Sequence, residues 1–199
     1  MPLFDTLHLI KGARVTDDQF WILIEQSNGS QPARPGLLQK LLGRSKSAQT
    51  GESFLAKLRG LLTPLPPNEI KDFKVILDRQ IDRAYTWDLW AAAYIMMGGC
   101  SDDGFEYWRL WLVSQGRAVF DGAIANPESL AALNLGSPDD MELEALAYVA
   151  PEVFEQKTGN DLYEELPARS GPSDPVGEPW EEDSEALAAR FPLLSQKYG

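Results

Sequence analysis

The chain predicts an all-α fold: an irregular multi-helix bundle around a buried central helix, with a C-terminal tail helix docked on it. Three observations predict it. Apolar residues recur at three- and four-residue spacing in several segments, and no segment shows the sustained alternation of a half-buried strand. Capping residues and glycines bracket those segments. From Trp87 onward the pattern changes from amphipathic to apolar all round, which marks the most enclosed helix of a bundle.

The elements follow in order. Residues 1–15 read as an N-terminal arm, in which Leu7, Leu9 and Ile10 form either a short edge strand or a docked segment. Thr16-Asp17-Asp18-Gln19 is a capping box with two acids at the positive end of the first helix. Phe20, Leu23 and Ile24 give that helix its apolar stripe, and Asn28-Gly29 ends it. Residues 29–50 are rich in Ser, Gly, Gln and Pro and carry Arg34, Lys40, Arg44 and Lys46. They read as a mobile basic insert with a short helical turn at Leu37–Leu42. Phe54, Leu55, Leu58, Leu61 and Leu62 fit a short helix, stopped by Thr63-Pro64.

Glu69–Tyr85 is amphipathic, with Ile70, Phe73, Ile76, Leu77, Ile81 and Ala84 on one face and Asp78, Arg79, Asp82 and Arg83 on the other. Trp87–Met97 is the expected central helix, ended by Gly98-Gly99, since glycine adopts the left-handed conformation cheaply. Ser101 is placed to cap a helix over 102–115, and Gly116 stops it before a short helix over Arg117–Ala125. Asn126-Pro127 and Ser137-Pro138 are caps followed by proline at a first helical position. Leu143, Leu146, Ala147 and Val149 form a further stripe, extended from Pro151 to Lys157 before Gly159. Residues 16–159 are thus expected to be one all-α domain. Residues 160–199 read as a Pro-rich linker and an acidic C-terminal helix, with Phe191, Leu193, Leu194 and Tyr198 docking on the body.

Composition narrows the function classes. The 199 residues are 44% hydrophobic and 24% charged, as in an ordinary globular protein. The net charge of -12 opposes general phosphate binding, so nucleic acid is not an expected partner. The same charge suits a basic protein partner, because opposite fields speed encounter. Leu89–Met97, the longest apolar run, is far short of the ~20 residues a membrane-spanning helix needs, so no membrane is expected. Met-Pro-Leu-Phe-Asp has no basic n-region, and the single cysteine forms no internal disulfide. A cytoplasmic protein without a signal peptide is expected, and its oligomeric state is not legible.

The stretch WDLWAAAYIMMGGCSDDGFEYWRLWLVSQGRAVFDGAIANPESL resembles the bacterial family called domain of unknown function 4240. The resemblance runs from about Thr16 to about Gly159, and the tail is similar through Trp180-Glu181-Glu182-Asp183 and Arg190-Phe191-Pro192. It implies an uncharacterised domain that stands alone or is joined to WGR domains in proteins labelled molybdate-metabolism regulators. It brings no catalytic residues to carry over. The basic insert over 29–50 is particular to this chain.

Candidate chemistry centres on the turn Gly98-Gly99-Cys100-Ser101-Asp102-Asp103. Cys100 precedes a helix N-terminus, which lowers a thiol pKa, but two acids follow it and raise it again. His8 is the only histidine and lies in the arm, so no Cys–His pair is evident and a structural cysteine is the competing reading. Asp102 and Asp103 are candidate acid–base or cation-binding groups. Two acids after a serine cap are equally what a helix start prefers. Trp87, Trp90, Trp108 and Trp111, four of the six tryptophans, pack between two consecutive helices or line a groove. Arg109 and Arg117, near Tyr94, Tyr107 and Gln115, can form a polar pocket mouth or pair internally with Asp88, Asp102 or Asp103.

The candidate catalytic set is therefore Cys100, Asp102 and Asp103. The candidate binding set is Trp87, Asp88, Trp90, Tyr94, Ser101, Asp102, Asp103, Tyr107, Arg109 and Arg117. No metal or cofactor motif and no familiar enzyme signature is present. The expected function is a protein-interaction or regulatory module, of immunity type for example, acting through an acidic helical surface. The alternative is a small-molecule-binding protein or enzyme at the Gly98–Asp103 turn.

Overall fold

The computed structural model describes residues 14–29, 51–182 and 184–199. All but residues 14 and 15 of the predicted arm over 1–15, and all but residue 29 of the predicted insert over 29–50, lie outside the described residues. Within the described residues the fold is all-α, with no strand.

Helix α1 (Asp17–Ser27) opens with the predicted capping box: Thr16 Oγ1 accepts from the Gln19 N–H, and the Gln19 side chain accepts from the Thr16 N–H. Phe20, Trp21, Leu23 and Ile24 face the core. Helix α2 (Gly51–Leu62) buries Phe54, Leu58 and Leu62 against α1. Helix α3 (Pro67–Arg83) buries Ile70, Phe73, Leu77 and Ile81, and its charged face ties down its neighbours. Arg79 pairs with Asp17, Arg83 with Asp121, and Arg169 reaches both Asp78 and Asp82.

Helices α4 (Trp87–Met97) and α5 (Asp102–Ser114) form the central hairpin. Leu89, Ala91, Ala92, Ala93, Ile95 and Met96 bury most of α4, with alanines where neighbouring helices approach. Burial is not complete all round, since Trp87, Trp90 and Tyr94 form a half-exposed ledge. Helix α6 (Arg117–Ala125) follows Gly116, whose φ of 93° explains the glycine there. Two 3₁₀ segments, Pro127–Ala132 and Pro138–Asp140, lead to α7 (Leu146–Thr158) and the short α8 (Leu162–Glu165). Helix α7 packs on α2 and α3 and ends at Gly159 with φ 77°.

The tail returns across the body. Val176 pairs with the start of α4: its N–H donates to Tyr85 O, and its carbonyl accepts from the Trp87 N–H, both at 2.9 Å. Helices α9 (Ser184–Arg190) and α10 (Pro192–Tyr198) then bury Leu187, Phe191 and Leu194, with α10 lying on α4. The tail docks as the hydrophobic pattern predicts through Phe191 and Leu194, but Leu193 of the same expected set faces outward and is exposed.

Candidate functional site

The hairpin places the predicted residues in two distinct settings. Thr86 Oγ1 accepts from the Leu89 N–H and starts α4; Gly98, at φ 70°, ends it. The Trp90 indole N–H then donates to Cys100 O at 3.0 Å, fixing the path of the turn. Ser101 Oγ accepts from the Gly104 N–H at 3.2 Å and caps α5. A Cβ at residue 104 would lie 3.3 Å from Glu142 Oε1 and from Ser101 Oγ, so glycine lets Glu142 lie close over this turn.

The polar half of the turn faces outward. Ser101, Asp102, Asp103 and Glu106 are exposed, and the two aspartates occupy the first turn of α5, where the helix end favours negative charge. Among the described residues no three His, Cys, Asp or Glu side chains converge as metal ligands would. Burial pushes the Cys100 thiol up to about 12; Glu142 and Asp102 push the same way, against Arg109. At neutral pH the thiol is therefore protonated and a poor nucleophile.

The aromatic half faces inward. Trp87 stacks on Trp90 (5.4 Å between centroids, 8° between planes), and Trp90 stacks on Phe105 (5.1 Å, 12°). Phe105, Trp108 and Trp111 continue the column into the core. The open end of the ledge is covered by Trp180. Its indole N–H donates to Trp87 O at 2.9 Å, and its ring meets Trp87 edge-on and Tyr94 at a tilt. Arg190 pairs with Asp88 across the same seam. A cleft of about 250 Å³ remains there, lined by Pro179, Trp180, Glu181, Ala186, Leu187 and Arg190.

The two arginines are not brought together. Arg117 is exposed and pairs with Asp18 and Asp121. Arg109 is buried; its Nε donates to Phe105 O at 3.3 Å and its Nη1 to Ile81 O at 2.9 Å. Its guanidinium lies 4.6 Å from the Tyr85 ring centre and 4.9 Å from that of Phe105, and burial lowers its pKa. The expected pairing with Asp88, Asp102 or Asp103 is absent among the described ion pairs. Asp102 sits seven residues before Arg109, about 10 Å along the helix axis, while carbonyls and ring faces lie within direct reach.

Sequence reasoning overlooked two exposed tyrosines, Tyr148 and Tyr163. Tyr148, on α7, donates its hydroxyl to Glu144 Oε1 at 3.2 Å. Tyr163, on α8, carries the Lys74 ammonium 5.3 Å from its ring centre. The Leu143 N–H donates to Tyr107 O at 3.1 Å and draws the segment bearing Glu144 against α5. The available signal was Glu144 four residues before Tyr148, at a position outside the apolar stripe of α7.

A family model described as "Protein of unknown function (DUF4240)" matches residues 15–156 of this chain. No curated protein and no solved structure matches it significantly.

Proposed function

We propose that this chain, which belongs to the family described as Protein of unknown function (DUF4240), is a protein-interaction module that binds a basic partner through its acidic helical surface. A regulatory or immunity-type role follows from that mode of action. One observation carries the reading: the hairpin turns its polar residues outward and its aromatic residues inward. Ser101, Asp102, Asp103 and Glu106 are exposed, while Trp108 and Trp111 are buried, Trp90 is stacked between Trp87 and Phe105, and Trp87 lies partly under Trp180. A site for small-molecule chemistry favours convergent polar groups in a concavity. Outward carboxylates instead suit long-range attraction of a cationic surface, and the net charge of -12 strengthens that field.

Carbodiimide coupling of carboxylates to partner lysines, with the full chain in extract from its source cells, tests the reading. A discrete basic protein is expected to couple saturably, and coupling should fall as salt rises. The triple variant Asp102→Asn, Asp103→Asn, Glu106→Gln should couple less. Absence of saturable coupling, together with stabilisation of the fold by a small-molecule extract, overturns the reading in favour of a ligand-binding protein.

A further inference from the structure

We propose that the aromatic column of the hairpin is a route for oxidising equivalents that ends at Tyr94, so that a one-electron oxidation begun on an inner indole leaves the core as a surface tyrosyl radical. This function is independent of the interaction-module reading. Five of the six tryptophans, Trp87, Trp90, Trp108, Trp111 and Trp180, belong to the column. From the inner end, ring centres lie 5.8 Å apart for Trp111 and Trp108, 6.1 Å for Trp108 and Phe105, and 5.1 Å for Phe105 and Trp90. They continue at 5.4 Å for Trp90 and Trp87, 6.5 Å for Trp87 and Trp180, and 5.0 Å for Trp180 and Tyr94. Indoles in such contact exchange electrons readily. Phe105 is too hard to oxidise to be a stop, but its ring bridges Trp90 and Trp108.

Hydrogen bonding sets the direction of travel. An oxidised ring becomes a weaker oxidant once its N–H or O–H proton is lost, so the missing electron comes to rest where a base takes that proton. Trp108 Nε1 is buried with no hydrogen-bond partner among the described residues. Trp90 and Trp180 donate to the backbone carbonyls of Cys100 and Trp87, which accept a hydrogen bond but do not take up a proton at neutral pH. Tyr94 differs, because its hydroxyl donates to the exposed carboxylate of Glu182, Oε2 at 3.4 Å. A phenol that loses an electron and a proton together ends as a neutral radical, a weaker oxidant than a tryptophan radical cation. The sixth tryptophan, Trp21, meets Phe20 and Phe120 and stands apart from the column.

The steps balance. A one-electron oxidant of the carbonate-radical class takes an electron from an indole of the column and leaves as carbonate. The indole becomes a radical cation. Electrons pass inward from ring to ring, so the positive charge moves outward. Tyr94 gives the last electron to Trp180 and its hydroxyl proton to Glu182. The indoles are restored, and the products are a tyrosyl radical and a neutral Glu182 carboxyl. An enediol reductant of the ascorbate class then returns a hydrogen atom to the Tyr94 oxygen at the surface, and Glu182 releases its proton to water.

The test is flash photolysis of the full chain. An ultraviolet pulse ejects electrons from tryptophans, buried ones included, while nitrous oxide and tert-butanol remove the electron and the radical it yields. Tryptophan-radical absorbance is expected to decay as tyrosyl absorbance grows, at a rate independent of protein concentration. Tyr94→Phe, which removes one hydroxyl and keeps the ring, should abolish that growth. Tyr148→Phe should leave it unchanged: Tyr148 also donates to a carboxylate, Glu144 Oε1 at 3.2 Å, but among the described residues it has no ring contact with the column. Trp87→Phe keeps a ring in place but takes away a stop, and should lower the tyrosyl yield. Glu182→Gln should slow the growth. Growth that persists in Tyr94→Phe, falls equally in Tyr148→Phe or scales with protein concentration overturns the proposal. So does an unchanged yield in Trp87→Phe, because Tyr94 would then drain Trp180 alone, or an unchanged rate in Glu182→Gln, which would remove the proton acceptor the route needs.

Discussion

At Cys100 partial burial, reinforced by the Glu142 carboxylate, holds the thiol protonated. With the thiol at about 12, the thiolate fraction at pH 8 is very small, though the thiolate that forms is more nucleophilic than usual. The two effects leave alkylation by iodoacetamide about 10²-fold slower than for a free cysteine peptide. Glu142→Gln should speed it; parity with the free peptide would refute the protonated thiol. The linkage sign follows. The folded pKa is raised above the ordinary 9.0, so the folded state holds its proton longer than the unfolded chain. Stability from this group is complete below pH 9 and declines as pH rises toward 12; Cys100→Ala should flatten that decline in denaturant titrations. Arg109 is the other telling side chain. Its two carbonyl bonds and two ring contacts replace a carboxylate partner, so Arg109→Met should cost about 2–3 kcal/mol, read as a shift in urea midpoint.

Helix boundaries are where sequence and structure agree most closely, because a cap is a local bond among adjacent residues. Thr16, Thr86 and Ser101 all accept from a backbone N–H of the following turn. Ser101→Ala should cost about 1 kcal/mol with an unchanged denaturant slope. Little or no cost would mean the hydroxyl caps nothing. Gly98 and Gly159 were readable as stops for the same local reason. What could not be read is set by distant partners. The two acids of the Gly98–Asp103 turn look alike on paper whether they line a pocket or face water. The Arg109 partner is a carbonyl of α3, 28 residues away, and the cover on Trp87 comes from Trp180, 93 residues away. Helix α10 shows the point again, since its cap comes from another element. Glu128 accepts from the N–H groups of Leu193 and Leu194 at 2.8 and 3.1 Å. Glu128→Ala should raise hydrogen exchange at those two amides selectively, and uniform exchange across the chain would show that the cap is not local.

For the molecule as a whole, the question is whether the tail is an appendage or part of the fold. Leu187, Phe191 and Leu194 are buried in the common core, and Val176 pairs with the start of α4. Unfolding should therefore be one transition, with tryptophan fluorescence and far-ultraviolet circular dichroism coinciding. Trp180→Ala should lower the midpoint of both together, by about 2 kcal/mol for a partly buried indole. Separate transitions would make the tail an independent unit. The family match stops at residue 156, inside α7 and ahead of every tail contact on the tryptophan ledge. A recombinant piece cut at that boundary would sever the last turn of a helix and strip the lid from a greasy shelf of indoles. Expression trials designed on the shared block alone should yield sticky, precipitating material, whereas a piece running through Tyr198 should stay in solution.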